Sequence, residues 1–252
     1  MPRLAAENDG EMQNYQVGGS NFTFTAARIG SLGATEYTLV TIAVDVTGST
    51  AGFADELHKM LLTAIESCKK SPRSDNLLVR VVTFSTYIGG VNELHGFKPL
   101  SEIEPTDYQK FVPEGLTPLY DATFDAIGAT VEYGGELMEN DFLANGIVFV
   151  ITDGYDNMSD ATPREIREQI RRVKGEERLE SLLTVLIGIN AAQYRDYLET
   201  FRNDAGLDQY IDAGDATPGK LAKLATFVSQ SVSSQSAALG TGGPSQTISA
   251  TI

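Results

Sequence analysis

The stretch Y-T-L-V-T-I-A-V-D-V-T-G-S, residues 37–49, decides the architecture. From Tyr37 to Val44 the run is nearly all apolar or β-branched, which suits a central strand covered on both faces. Its end delivers Asp45 to a loop. After Gly48 and Gly52 comes a helix in which Phe53, Leu57, Leu61, Ala64 and Cys68 recur at three- and four-residue spacing, a stripe that must face the sheet.

Outward from this unit, the strand-then-helix rhythm repeats. Leu77 to Phe84 reads as a second strand, and Gly89-Gly90 allows a tight turn into a short strand through Val91 and Leu94. A loop at 113–118 ends at Thr117 and leads into a helix with Tyr120, Phe124, Ile127 and Val131 on one face. The amino end of that helix points toward the Asp45 loop, where its free N–H groups favour an anion. Tyr133 to Asn145, with Gly134-Gly135 and three acids, is expected to be an exposed connection, and Ile147 to Thr152 a buried strand that delivers Asp153. Thr162-Pro163-Arg164-Glu165 is a capping box that opens a helix with the inner stripe Ile166, Ile170 and Val173. Leu182 to Ile189 is a further strand, followed by a helix with Tyr194, Leu198 and Phe201 inward and a short strand at Tyr210 to Asp212. The last helix starts at Thr217-Pro218 and carries Leu221, Leu224, Ala225 and Val228. This alternation predicts an α/β, doubly wound fold with a mostly parallel central sheet and helices on both faces.

The ends read differently. Residues 1–36 are expected to form a leader, loose over 1–20, with an edge strand at 21–27 where Phe22 and Phe24 alternate with Thr23 and Thr25. The folded domain is expected over 37–235. Ser- and Gly-rich wording sets in beyond Ser229, too polar to join a core, and leaves a flexible tail at 236–252.

Composition narrows the function. An apolar content of 42% over 252 residues is enough for a core. Cys68 has no second cysteine to pair with, and nothing at the amino end reads as a positively charged region followed by an apolar stretch, so a cytoplasmic location is expected. The apolar runs are strand-sized, too short to span a bilayer. A formal charge of −15 disfavours nucleic acid and anionic membrane as partners.

Three pieces carry the chemistry: D-V-T-G-S at 45–49, Thr117 of E-G-L-T-P-L-Y-D, and Asp153 of V-F-V-I-T-D-G. Asp45 and Asp153 close strands, and in doubly wound sheets ligands bind beyond the carboxyl ends of the strands. Two carboxylates and three hydroxyls, from Asp45, Thr47, Ser49, Thr117 and Asp153, are hard oxygen donors suited to magnesium. The bland alternative is that Asp45 and Ser49 cap the helix near Gly52, Thr117 caps the helix after Pro118, and Asp153 opens a D-G turn.

Over residues 36 to 235 the pattern resembles the metal-ion-dependent adhesion site of von Willebrand factor type A domains, D-x-S-x-S followed by a distant Thr and a distant Asp. Thr47 stands in place of the usual first Ser, and Leu116 where many relatives have a second Gly. The resemblance implies that Thr47 and Ser49 are hydroxyl ligands, Asp45 and Asp153 carboxylates that act directly or through water, and Thr117 a ligand direct or water-bridged. It implies magnesium as the cofactor, with manganese or calcium as substitutes, and a protein partner whose Asp or Glu completes the site. Specificity then falls to a rim at Tyr120, Tyr155 and Asn157. The wording F-V-S-Q-S-V-S-S-Q-S near the end is similar to the tellurite-resistance-associated bacterial group. That likeness implies a bacterial stress or defence setting, with a kinase, phosphatase or AAA ATPase of the same gene cluster as partner.

A non-enzymatic module is the expected reading. The competing one is a magnesium-dependent phosphotransferase or phosphatase with Asp45 as the phosphorylated acid. Against it, Thr47 replaces the second acid expected there, and no Lys is placed to neutralise a phosphoryl group. Asp156 reads as a turn residue, and His58, His95 and Cys68 as packing residues.

Overall fold

The computed structural model describes residues 12–242 and 247–249. Eight strands form one sheet: β1 (Gln13–Gln16), β2 (Thr23–Ala26), β3 (Glu36–Asp45), β4 (Leu77–Ser85), β5 (Gly90–Pro99), β6 (Leu143–Thr152), β7 (Leu182–Gly188) and β8 (Gln209–Asp212). Five helices connect or flank them: α1 (Ala54–Lys69), α2 (Leu119–Glu139), α3 (Pro163–Gly175), α4 (Arg195–Ala205) and α5 (Pro218–Thr241). The sheet order is β1-β2-β5-β4-β3-β6-β7-β8. From β4 through β8 every pairing is parallel, while β4 with β5 and β1 with β2 are antiparallel.

The quoted run lies at the centre, as its composition demands. Successive side chains of β3 go to opposite faces. Leu39 and Ala43 join the core packed under α2, α3 and α4, whereas Val40, Ile42 and Val44 join the core under α1 and α5. Thr41 is fully buried on the α2 side, where its hydroxyl is matched by that of Thr130 at 2.8 Å. Cys68 is buried in the second core, as its helical spacing predicts.

Four expectations need correction. Residues 133–139 are not an exposed connection but the last turns of α2. The two glycines that suggested a loop serve close packing instead: a Cβ on Gly134 would lie 2.3 Å from Leu179, and one on Gly135 2.5 Å from Arg178. The stretch beyond Ser229 does join the core, because α5 continues to Thr241 with Val232, Gln235, Ser236 and Leu239 buried. Its polar residues are admitted by polar partners: Asn145 Nδ2 donates to the Gln235 carbonyl at 2.8 Å, Gln235 Nε2 to Ser181 Oγ at 3.1 Å, and Arg73 Nε to Ser236 Oγ at 3.0 Å. The flexible tail expected at 236–252 is therefore helical as far as Thr241, and residues 243–246 and 250–252 lie outside the described residues. Within the expected leader, Gln13–Gln16 is a strand; residues 1–11 lie outside the described residues. The strand after Gly89-Gly90 runs on to Pro99 rather than stopping near Leu94, which gives β2 a parallel neighbour in addition to β1.

Candidate metal centre

Asp45 is the last residue of β3, and Asp153 follows the last residue of β6. These strands are adjacent and parallel, with Val44 opposite Ile151, so both carboxylates emerge at the same end of the sheet. The chain leaves β3 for α1 on one face and leaves β6 for α3 on the other. That divergence opens a crevice between the two strands, the switch point at which α/β sheets take ligands.

Hydrogen bonds and close oxygen–oxygen contacts join the five candidate donors into one continuous chain. Asp45 Oδ1 accepts from the Thr47 amide at 2.9 Å and from Thr47 Oγ1 at 2.6 Å, and its Oδ2 accepts from Thr152 Oγ1 at 2.7 Å. Thr47 Oγ1 lies 3.1 Å from Ser49 Oγ, which donates to Asp153 Oδ1 at 2.8 Å. Thr117 Oγ1 reaches Thr47 Oγ1 at 3.5 Å. Asp45 and Thr47 are each 1% exposed, while Ser49 is open to solvent, so the cluster is reached from the Ser49 side.

Burial pushes the Asp45 carboxyl up to about 7; hydrogen bonds from Thr47 and Thr152 oppose the rise and the nearby Asp153 charge adds to it. Asp153 is raised as well, again by burial, against the bond from Ser49. Among the described residues no Lys or Arg pairs with either group, so two buried carboxylates lie close together without a neighbouring cation.

The loops that carry these groups are laced together. Gly48 N–H donates to the Gly115 carbonyl at 3.2 Å, Glu114 N–H to the Val46 carbonyl at 3.1 Å, and Leu116 N–H to Thr86 Oγ1 at 2.8 Å. Thr117 N–H donates to Asn157 Oδ1 at 2.8 Å, and Asn157 N–H returns a bond to the Thr117 carbonyl at 3.1 Å. Gly115 has φ +83°, and a Cβ there would lie 2.7 Å from Ser85 Oγ and Tyr87 N, so only glycine allows this approach.

The capping alternative does not describe these side chains. Phe53 and Pro118 occupy the cap positions of α1 and α2, each without a side-chain cap bond, and the Thr117 hydroxyl is directed at Thr47. Asp45 does accept the amide two residues on, as a turn Asp would, but it also accepts both threonine hydroxyls.

A pocket of about 170 Å³ opens over the cluster, lined by Thr47, Ser49 and Thr117 and by Leu116, Tyr155, Asn157 and Tyr194. Two of the expected rim residues, Tyr155 and Asn157, line this pocket. Tyr120 does not: its ring packs on Phe201 with centroids 4.6 Å apart and its hydroxyl meets that of Tyr197. The residue belongs to the same helix turn but faces the α4 side. Tyr194, expected to point inward from α4, instead precedes that helix and stands 5.1 Å from the Tyr155 ring. Nor are all the amino-terminal amides of α2 free for an incoming anion, since Tyr120 N–H donates to Asp156 Oδ1 and Asp121 N–H to Ser159 Oγ. Asp156 is thus a turn and helix-end residue. His58 bonds to the Tyr108 carbonyl and His95 to the Tyr108 hydroxyl, both away from the cluster. Thr152, the direct partner of Asp45, escaped the motif because its neighbour Asp153 carried the pattern.

The donor set fits a hard divalent ion, being all oxygen with two uncompensated carboxylates. Among the described residues no three His, Cys, Asp or Glu gather as a metal site, so an ion here would need the hydroxyls as ligands beside the two carboxylates.

No family model matches this sequence, and no curated protein matches it either. Its structure is similar to that of the pilus adhesin SpaC from Lactobacillus rhamnosus GG in the open conformation, with a TM-score of 0.54 at 12% identity over 79% of this chain and 30% of that one. It is also similar to proximal thread matrix protein 1 from the mussel byssus, with a TM-score of 0.51 at 16% identity over 79% of this chain and 47% of that one. These likenesses agree with a doubly wound α/β fold built on a mostly parallel sheet. This chain spans between about a third and about half the length of those two proteins. None of its helices is long and apolar enough to cross a membrane, among the described residues.

Proposed function

We propose that this type A-like domain is a metal-dependent protein-docking module, a scaffold or adaptor rather than an enzyme. The observation that carries the reading is the unbroken chain of oxygen groups from Asp45 through Thr47 and Ser49 to Asp153, with Thr117 at its side, at the carboxyl ends of two adjacent strands. Asp45, Thr47, Ser49, Thr117 and Asp153 would hold magnesium, or manganese or calcium in its place. When bound, the ion supplies a positive centre that a partner's Asp or Glu carboxylate can ligate.

The protein's own groups prepare that contact. Asp45 is oriented through both carboxylate oxygens by Thr47 and Thr152, and the mutual lacing of Thr117 and Asn157 keeps the third loop at the site. Two ionised carboxylates this close cost roughly 1 to 4 kcal/mol by mutual repulsion, which a cation relieves. The same arrangement supports the non-enzymatic reading. A phosphate-accepting Asp would be expected to have a second acid two residues on, and position 47 carries Thr instead.

The likeness of the closing sequence to the tellurite-resistance-associated group supports a cytoplasmic role in a bacterial stress or defence system. A kinase, a phosphatase or an AAA ATPase of the same cluster would be the partner. Thermal unfolding tests the metal reading: magnesium or manganese should raise Tm, and Asp153→Ala should abolish the rise while leaving a folded protein. A rise of the same size in Asp153→Ala would overturn the site. Release of phosphate from an aryl phosphate, lost in Asp45→Ala, would overturn the non-enzymatic reading.

A further inference from the structure

Among the described residues six large apolar side chains are exposed, and five of them, Tyr87, Val112, Leu116, Tyr155 and Met158, lie on loops at the carboxyl end of the sheet. The sixth, Leu143, opens β6 at the opposite end. Single exposed apolar residues need no explanation, but a gathering at one end of a domain marks a contact surface.

Four of the five, Tyr87, Leu116, Tyr155 and Met158, are held on one platform. Tyr87 and Leu116 stand on loops joined by the bond from Thr86 N–H to the Leu116 carbonyl at 3.0 Å, and the loop of Tyr155 and Met158 is tied to Thr117 through Asn157. Leu116 and Tyr155, 49% and 43% exposed, line the pocket above Ser49 and Thr117, and Tyr194 extends the wall behind Tyr155.

We infer that this apolar collar selects a protein segment that presents one Asp or Glu between bulky apolar residues. The inference rests on the metal-docking reading and adds to it the chemistry of the flanking positions. Charge narrows the occupant to a single acid. Glu114 is exposed on the same platform, Lys110 is paired with Asp55 at 3.3 Å, and the chain carries −15 overall, so a second acid beside the first would be repelled. A lysine in the flank would have to shed water against Leu116 and Tyr155, whereas an apolar flank gains from the same contact.

Two fluorescein-labelled, end-capped peptides test this, Ser-Ser-Leu-Glu-Phe-Ser-Ser and Ser-Ser-Ser-Glu-Ser-Ser-Ser, titrated with the full chain by polarisation in magnesium and in EDTA. The apolar-flanked peptide should bind at least tenfold more tightly in magnesium, and the advantage should shrink toward one in Leu116→Ser/Tyr155→Ser. The metal response of that double variant is measured alongside by its Tm. Equal affinity of the two peptides in magnesium would overturn the collar and leave the metal reading standing. Binding of the apolar peptide that is unchanged in EDTA would also overturn it, because the contact would then not be organised around the ion. Absence of both metal-induced stabilisation and peptide binding would sink the metal reading and the collar with it.

Discussion

At the scale of single residues, the site depends on how the protein treats Asp45. Its carboxyl is raised to about 7 from 3.8, chiefly by burial, so the metal-free folded state holds a proton there that the unfolded chain has lost. The linkage follows: this contribution to stability is complete below about pH 4 and is lost as pH rises through about 7. In EDTA, the difference in Tm between wild type and Asp45→Asn should therefore move in favour of the variant from pH 5 to pH 8. A difference that does not change with pH would show that Asp45 ionises normally. Thr47 offers a second check. Its hydroxyl bonds to Asp45 and lies beside Ser49, so Thr47→Val should weaken the metal-induced rise in Tm, while Thr47→Ser, which keeps the oxygen, should retain it. At this scale the juxtaposition of Asp45, Thr47, Ser49, Thr117 and Asp153 was legible from residue type and strand position, while Tyr155 and Asn157, which line the pocket above them, came only from the family resemblance. Tyr120 could not be placed, because whether a helix-start side chain faces the pocket or α4 depends on where the Phe201 ring stands.

Among the elements, close approach decides what local pattern left ambiguous. β2 lies so near β5 that a Cβ on Gly96 would fall 1.9 Å from the Thr25 carbonyl oxygen. Gly96→Ala must push β2 outward, and the expected cost is about 3 kcal/mol or more, read from urea unfolding. A cost below about 1 kcal/mol would mean that β2 is not seated as described. The carboxyl half of α5 makes the complementary point. Gln235 is fully buried and its amide reaches Gly146 and Ser181, so Gln235→Ala should destabilise by roughly 1 to 3 kcal/mol despite lying in Ser-rich sequence. Neither feature shows in periodicity. Gly134, Gly135 and the serines of α5 carry the composition of loops, and only the identity of what packs against them makes them helical interior.

For the whole molecule, a bound ion should act as a ligand of the folded state alone. Magnesium at about a hundred times its Kd should add about 2.7 kcal/mol, or roughly 5 to 10 °C in Tm for a domain of this size, increasing with the logarithm of magnesium concentration. A Tm independent of magnesium up to 10 mM, about a hundred times an expected Kd of ~0.1 mM, would count against the docking function as a whole. The order of strands and helices and the carboxyl-end placement of both Asp residues followed from the sequence itself. Buried parallel strands must be continuously apolar, and helices on a sheet must show a stripe, so these features are written locally. What only the tertiary structure decided was the extent of α2 and α5, the added strand β1, the partner of Asp45 at Thr152 and the gathering of exposed apolar side chains around the site. Those depend on contacts between residues far apart in the chain, where packing and hydrogen bonding outweigh local preference.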